Sequence, residues 1–119
     1  ANELLNSSFP EGPSWNIETC CLYALSNVIL TPNEVIITAD LPNIETKTVN
    51  VVAKNSNIIK ISAKLRKKVR FVDLGIHHRQ GEFSSLQCQG RVDVEIDKEK
   101  MRISYNEGIL EVRFPRKKV

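Results

Sequence analysis

The fold of this chain is decided by residues 103–115, whose sequence is Ile-Ser-Tyr-Asn-Glu-Gly-Ile-Leu-Glu-Val-Arg-Phe-Pro. Large apolar residues alternate with polar ones on both sides of the Asn-Glu-Gly step, which predicts a β-hairpin. Asn106 and Gly108 both tolerate the left-handed backbone that a tight turn needs, and Pro115 ends the pairing because it lacks an amide donor. The side chains expected to face a core are Ile103, Tyr105, Leu110, Val112 and Phe114.

Short β-rich segments continue upstream of this hairpin, each bounded by turn residues. The strands are expected at residues 22–30, 35–40, 49–53, 58–63 and 83–89, and then, after a break or bulge at Gly90, at 92–96. Alternation along two of them predicts a set of inward-facing residues: Val35, Ile37, Ala39, Leu41, Ile59, Ile61 and Ala63. No long segment repeats with a helical period. The sequence therefore predicts an all-β fold, an immunoglobulin-like antiparallel β-sandwich.

The chain has 119 residues, a length that suits one domain with a real core. We expect a flexible N-terminal arm over residues 1–20, the sandwich domain over 21–115 and a short basic tail over 116–119. The arm places isolated apolar residues, among them Phe9 and Trp15, between Asn, Ser, Pro and Gly. These side chains could contact a partner or wrap over the core of their own domain.

Composition narrows the classes of partner. Charged residues make up 26% of the chain, but the net charge is only +3, so the dense basic stripe of a dedicated nucleic-acid binder is absent. One basic cluster, residues 64–70, could contact RNA or an anionic lipid surface. It lacks interleaved aromatics for base stacking, so we interpret it as part of a charged loop over 64–79 that holds one brief strand. Apolar runs are too short to span a bilayer and no signal peptide is recognisable. We expect a soluble, cytoplasmic protein with neither membrane nor nucleic-acid partners.

Catalytic and metal sites are not indicated by the sequence. It contains no phosphate-binding glycine loop, Cys-x-x-Cys pair or nucleophile elbow. His77 and His78 are adjacent, so in a strand they would point to opposite faces and could not chelate one ion together. The acidic residues at 93–99 have no recognisable acid–base partner and are interpreted as a solvated face. We expect no enzyme activity, no cofactor and no metal.

The three cysteines are interpreted as reduced thiols. Cys20 and Cys21 are adjacent, and a bridge between neighbours would close a strained ring. The alternative is a bridge from either of them to Cys88.

Three blocks of sequence follow one another as they do in a known family. They are Glu34–Pro42 (EVIITADLP), Ile58–Lys64 (IIKISAK) and Tyr105–Val112 (YNEGILEV), and Gly81-Glu82-Phe83 stands where the family has Gly-Ser-Phe. From about Leu22 to Pro115 the chain resembles the α-crystallin domain of small heat shock proteins (the Hsp20 family), as a divergent prokaryotic or archaeal-type member. The family signature is Ala-x-x-x-Asn-Gly-Val-Leu after an upstream Ala-Asp-Leu-Pro-Gly-Val. The resemblance implies an ATP-independent holdase that binds partly unfolded client proteins and forms a homodimer or larger homo-oligomer.

The resemblance also implies two binding surfaces. A client or partner groove is expected at Val49, Val51, Met101 and Ile103. A strand in the loop before Phe83 is expected to cross to a second copy and pair with an edge that starts near Leu22; its residues are Arg70, Phe71, Val72, Leu74 and Ile76. The alternative is that this loop folds on its own domain, as it does in related folds without exchange.

The chain departs from the family pattern at three places. Ile103 stands where the signature has Ala, residues 87–92 replace the family's Phe-Arg-Leu-Pro step, and no Ile-x-Ile motif follows Pro115. We expect that Ile103 partly fills the groove and that assemblies stay small, unless a tail has been cut from the chain. These departures leave a second hypothesis open, that the chain is an adaptor of the p23 and CS type that binds a folded partner. A third hypothesis is that the chain is an accessory module of a longer protein.

Overall fold

Two sheets stack face to face in the computed structural model, which describes residues 15–16, 19–55, 57–78 and 80–117. Its strands are β1 (Trp15–Asn16), β2 (Cys21–Tyr23), β3 (Ser26–Leu30), β4 (Glu34–Asp40), β5 (Asn50–Lys54), β6 (Ile58–Arg70), β7 (Glu82–Arg91), β8 (Arg102–Asn106) and β9 (Ile109–Pro115). The first sheet has the order β1-β2-β7-β6-β5 and the second β3-β4-β9-β8. Every pair is antiparallel except β2 with β7, which is parallel. The predicted all-β antiparallel sandwich is confirmed.

Connections between these strands are short and contain only 3₁₀ helices within the described ranges. These helices are Thr46–Thr48, Phe71–Leu74 and Lys98–Lys100. In the same ranges no helix has the length and apolar character needed to cross a bilayer. Trp15–Asn16 of the predicted arm forms β1, and the Arg116 guanidinium donates to the Thr31 carbonyl oxygen at 3.0 Å. The structure thus adds contacts at both ends of the 21–115 segment.

The core lies between the two sheets and is built from alternate residues of the central strands. All of the predicted inward-facing residues of β4 and β6 are at most 3% exposed: Val35, Ile37, Ala39, Leu41, Ile59, Ile61 and Ala63. Leu110, Val112 and Phe114 of β9, which pairs with β4 in the second sheet, are buried in the same core. Period-two alternation succeeds here because each of these strands has a partner on both sides and one face against the other sheet.

The predicted hairpin is present, but its turn differs by one residue from the prediction. Asn106 is the last residue of β8 and pairs with Ile109. The left-handed residues are Glu107 and Gly108, with φ of 51° and 83°, which makes a two-residue turn whose twist suits a hairpin. The Gly108 carbonyl oxygen accepts from the Leu41 amide at 2.8 Å. Two separated sequence blocks, the turn and the Ala-Asp-Leu-Pro segment, therefore lie against each other.

The predicted strand at 22–30 is two strands in different sheets. β2 pairs with β7 of the first sheet, and β3 pairs with β4 of the second. At the crossover the Ala24 amide donates to the Gln87 carbonyl and the Leu25 carbonyl accepts from the Asp40 amide, both at 2.8 Å. The backbone is therefore hydrogen-bonded to one sheet and then to the other. No glycine or proline marks this crossover, which is why the sequence pattern missed it.

The basic segment after residue 63 is not a loop. β6 continues to Arg70, with a register shift between Lys64 and Val69. In this single chain Phe71–Leu74, within the segment expected to exchange as a strand, forms a 3₁₀ helix. The Asp73 carboxylate accepts from the Arg70 amide at 2.8 Å, and Gly75, at φ 79°, ends the turn. This side-chain cap competes with strand pairing and favours the turn.

The prediction around Gly90 is also wrong. Gly90 lies inside β7, is buried and pairs with Ile59. Residues 92–96 form no strand, although Val92 and Ile96 are fully buried and Ile96 bridges Arg116. Val92 and Ile96 are thus buried without belonging to a strand, which explains why the apolar alternation of residues 92–96 suggested one.

Candidate binding surfaces

Four strand edges of the sandwich have no strand beyond them among the described residues. They are the outer edges of the two-residue strand β1 and of β5, β3 and β8. An edge strand presents unpaired amide and carbonyl groups that another chain can bind. Only the two residues Ala24 and Leu25 separate β2 from β3, so these strands lie on the same side of the sandwich. β5 and β8 consequently lie together on the opposite side.

The residues predicted to form a groove are brought to that β5/β8 side. Val51 is paired with the buried Ile61, and Ile103 with the buried Val112. Residues directly opposite in an antiparallel pair share a face, so both side chains point between the sheets. Ile103 is nevertheless 45% exposed because no further strand covers it. We call the apolar surface of Val49, Val51, Met101 and Ile103 the groove.

Met101 and Val49 complete the groove from just outside the strands. Each follows a 3₁₀ helix and is partly buried against the common core. Tyr105, also on β8, donates its hydroxyl hydrogen to the Leu41 carbonyl oxygen at 2.7 Å. This bond fixes β8 to the segment that precedes the first 3₁₀ helix. The groove is therefore lined by two residues of paired strands, Val51 and Ile103, and by two residues that directly follow 3₁₀ helices.

The opposite side carries a second apolar surface that the sequence did not predict. A shallow cleft there is lined mainly by apolar residues from the β2–β3 crossover and from the turn after β6: Leu22, Tyr23, Ala24, Leu25, Asp40, Pro42, Leu74, Ile76 and Leu86. Leu25 is 77% exposed, more than any other large apolar residue of the described chain. Its exposure follows from the crossover, which turns it away from both sheets. We call this surface the cleft.

The five residues predicted for strand exchange have different environments. Phe71 is 1% exposed and packs edge to face on Phe83, with ring centroids 5.1 Å apart. Val72 and Leu74 are about half exposed, and Leu74 lines the cleft together with Ile76. The Arg70 guanidinium lies 3.7 Å from the Asp73 carboxylate. In this single chain the segment folds on its own domain, which is the arrangement given above as the alternative.

The predicted arm contacts fall at the edge of what is described. Phe9 lies outside the described residues. Trp15 begins β1, and its backbone pairs with Leu22.

Reactive chemistry has little support in the described ranges. They contain no group of three or more His, Cys, Asp or Glu residues placed to hold a metal ion. No disulfide joins Cys20, Cys21 and Cys88. Burial raises the pKa of the Cys88 thiol to about 11, partly offset by its hydrogen bond with Ser26. Such a thiol stays protonated and unreactive at neutral pH.

Comparison with known proteins places the fold. No protein-family model matches the sequence, and no curated protein is a significant match. Heat shock protein 16.0 from Schizosaccharomyces pombe superimposes with a TM-score of 0.62 at 19% identity, over 82% of this chain and 69% of that one. The Xanthomonas axonopodis hspA gives 0.59 at 21% identity, over 79% and 93%. A small heat-shock protein from Xylella fastidiosa gives 0.60 at 18% identity, over 90% and 91%. The chain has the fold of the α-crystallin domain.

Proposed function

We propose that this chain is an ATP-independent holdase, which binds partly unfolded client proteins and prevents their aggregation. The observation that carries the proposal is the pair of apolar surfaces beside unpaired strand edges, the groove and the cleft. Unfolding proteins expose apolar side chains and free backbone groups, the two features that drive aggregation. A surface offering both kinds of complementary contact can cover them without any chemical step.

The groove is the proposed client site. A client segment in an extended conformation can pair with the edge of β8 or β5 and place alternate side chains against Val51 and Ile103. Ile103 is the most informative position because it is 45% exposed and points inward. Ile109 in the same hairpin is 47% exposed and is paired with the exposed Asp40, away from the groove. It provides a matched control.

Heat-induced aggregation of citrate synthase, followed by light scattering without nucleotide, tests this proposal. The wild-type chain at an equimolar ratio is expected to suppress scattering. Ile103→Asp should need about fivefold more chain for the same suppression, because a charged group replaces a buried contact. Ile109→Asp should behave as wild type. Unchanged aggregation with the wild-type chain contradicts holdase activity, and equal effects of both variants contradict the groove as its site.

A homodimer, or a larger homo-oligomer, is proposed at the cleft side. The free edge of β3 and the exposed Leu25 and Ile29 support it. Segment 70–76 of a second copy is the proposed contact, through Val72, Leu74 and Ile76. Exchange of this segment would remove Phe71 from Phe83, so the second copy must offer Phe71 an equivalent site. Light scattering after size exclusion measures the assembly; a mass of one chain, 13.5 kDa, contradicts self-association.

The arm is proposed as an additional client contact on a domain formed by residues 21–115. Phe9 and Trp15 are the residues proposed to make it, because both are isolated apolar residues in a segment rich in Asn, Ser, Pro and Gly. Phe9→Ser with Trp15→Ser is expected to weaken suppression of aggregation while leaving the melting temperature of the domain within a few degrees. A fall in melting temperature with unchanged suppression would instead assign both residues to the domain's own packing.

An adaptor of the p23 and CS type is the second candidate function. Burial of Phe71 in its own chain favours it, because such adaptors share the sandwich and do not exchange strands. An adaptor would retain one folded partner in a binding assay and fail to suppress citrate synthase aggregation. The holdase assay described above therefore separates the two candidates.

A further inference from the structure

A basic surface lies where the long strand β6 runs beside the first 3₁₀ helix. The Lys64 amide donates to the Thr48 hydroxyl oxygen at 2.8 Å, and the Arg66 amide donates to the Asn43 carbonyl oxygen at 2.7 Å. These bonds hold residues 43–48 against 64–66. The exposed cations of segments 43–48 and 64–68 form what we call the basic surface: Lys47, Lys64, Arg66, Lys67 and Lys68.

Most of this charge is not neutralised within the described chain. Of the five cations only Lys68 has a salt bridge there, to Glu82 at 3.6 Å, and both side chains are more than half exposed. Glu45 is the one further carboxylate in the two segments. The Arg66 guanidinium is oriented by donating to the Ile44 carbonyl oxygen at 3.1 Å. The shift of register between Lys64 and Val69 takes residues 65–68 out of the ladder with β7.

The basic surface adjoins the groove, which is the proposed client site. Lys47 belongs to the 3₁₀ helix Thr46–Thr48, and Val49, which directly follows that helix, lines the groove. A single extended client segment can therefore place apolar side chains in the groove and anionic side chains on the basic surface. The basic surface also adjoins the cleft, because Pro42 lines the cleft and the next residue, Asn43, accepts the hydrogen bond from the Arg66 amide.

We propose that the chain selects acidic clients, meaning partly unfolded segments in which apolar residues are flanked by Asp and Glu. This inference rests on the proposed holdase function and names its client class. The positive charge of the basic surface speeds its encounter with acidic clients and disfavours the binding of basic ones. Residues 64–70 contain no aromatic, and the following Phe71 is buried, so the surface offers no platform on which bases could stack. The adjoining apolar groove suits a polypeptide better than a nucleic acid.

Two related clients of opposite charge test the selectivity. Reduction of disulfides aggregates both the acidic α-lactalbumin and the basic lysozyme, and light scattering at 0.1 M salt follows each. The wild-type chain should protect α-lactalbumin at a ratio about fivefold lower than lysozyme.

Lys47→Glu with Lys67→Glu should remove that preference. Lys54→Glu with Lys117→Glu, the same charge change at exposed sites, should retain it. Lys54 lies opposite Ile58, at the end of β6 away from Lys64, and Lys117 lies near the start of β4. At 1 M salt the preference should disappear, since the screening length falls from about 10 Å to about 3 Å.

The possible results separate this inference from the function beneath it. Protection of neither client overturns both proposals. Equal protection of both clients, or equal behaviour of the two double variants, overturns the selectivity and leaves the holdase proposal standing. If Lys47→Glu with Lys67→Glu loses binding to an RNA oligonucleotide or to anionic vesicles while α-lactalbumin protection is unchanged, the surface serves a different polyanion and the inference is wrong.

Discussion

The two open sides of the sandwich expose apolar residues for different reasons. On the β5/β8 side the regular ladders end, so Ile103 faces inward and is still 45% exposed. On the β2/β3 side the chain changes sheets at Ala24 and Leu25, and the turn after β6 lies against this crossover. Two of the four groove residues, Val51 and Ile103, belong to paired strands, and the other two directly follow 3₁₀ helices. The cleft is lined partly by Leu74 and Ile76 from the turn after β6.

This difference indicates which surface can change shape. Strand ladders hold the groove residues Val51 and Ile103 through backbone hydrogen bonds that we expect to open together. The turn at the cleft is held by local contacts, among them the packing of Phe71 on Phe83 and the hydrogen bond from the Arg70 amide to the Asp73 carboxylate. We therefore expect that a substitution at the cleft side alters local opening, whereas the groove responds mainly to loss of global stability.

The largest effect is expected from Phe71→Ala, which removes a fully buried ring from the base of the turn. The free energy of unfolding should fall by about 3–4 kcal/mol. Amide exchange should accelerate over residues 71–78 far more than over 102–106. Chemical denaturation and hydrogen exchange measure the two quantities.

Val72→Ala is the control for this change, because the neighbouring Val72 is 45% exposed. It should cost less than about 1 kcal/mol. Equal acceleration of exchange at the cleft and at β8 in Phe71→Ala would show that both sides open as one unit.

The sequence predicts the β5/β8 side better than the β2/β3 side. The alternation around Val35 and Ile59 and the turn at Gly108 are local signals, and they yield the correct strands. Leu25 carries no such signal, since the crossover there is set by hydrogen bonds to Gln87 and Asp40, which are far away in the chain. The strand expected at 70–76 follows from the family resemblance, and the 3₁₀ turn of the single chain depends on the hydrogen bond from the Arg70 amide to the Asp73 carboxylate, which the resemblance does not predict.

An effect of intermediate size on the free energy of unfolding is expected at alkaline pH, where the Cys88 thiol ionises. This buried thiol lies on β7 and is hydrogen-bonded to Ser26 of β3, so it joins the two sheets at the cleft side. Its pKa is about 11 in the folded chain against 9.0 for an ordinary thiol. The unfolded chain therefore ionises first. The stability contributed by the protonated thiol is complete below pH 9 and is lost as the pH rises through 11.

At pH 11 this loss amounts to about 2 kcal/mol. Urea unfolding between pH 8 and 11 measures it. Cys88→Ala should show a flatter profile over that range, although it starts from a lower stability because the side chain is buried. Cys20→Ala, at an exposed cysteine, should retain the wild-type slope. A wild-type slope in Cys88→Ala would assign the alkaline loss to other groups.

The smallest effect is expected at the groove side, from Tyr105→Phe. The change deletes the hydrogen bond from the Tyr105 hydroxyl to the Leu41 carbonyl oxygen and keeps the ring. Loss of one partly buried hydrogen bond should cost about 1 kcal/mol and lower the melting temperature by about 4 °C.

Tyr23→Phe is the matched control at the cleft side, because Tyr23 is 40% exposed and its hydroxyl has no hydrogen bond within the described residues. Because β8, which carries Tyr105, is held in a ladder with β9, Tyr105→Phe should lower exchange protection throughout the sandwich by a similar factor. Faster exchange confined to residues 102–106 would mean that β8 opens alone, and would make the groove the more adaptable of the two surfaces.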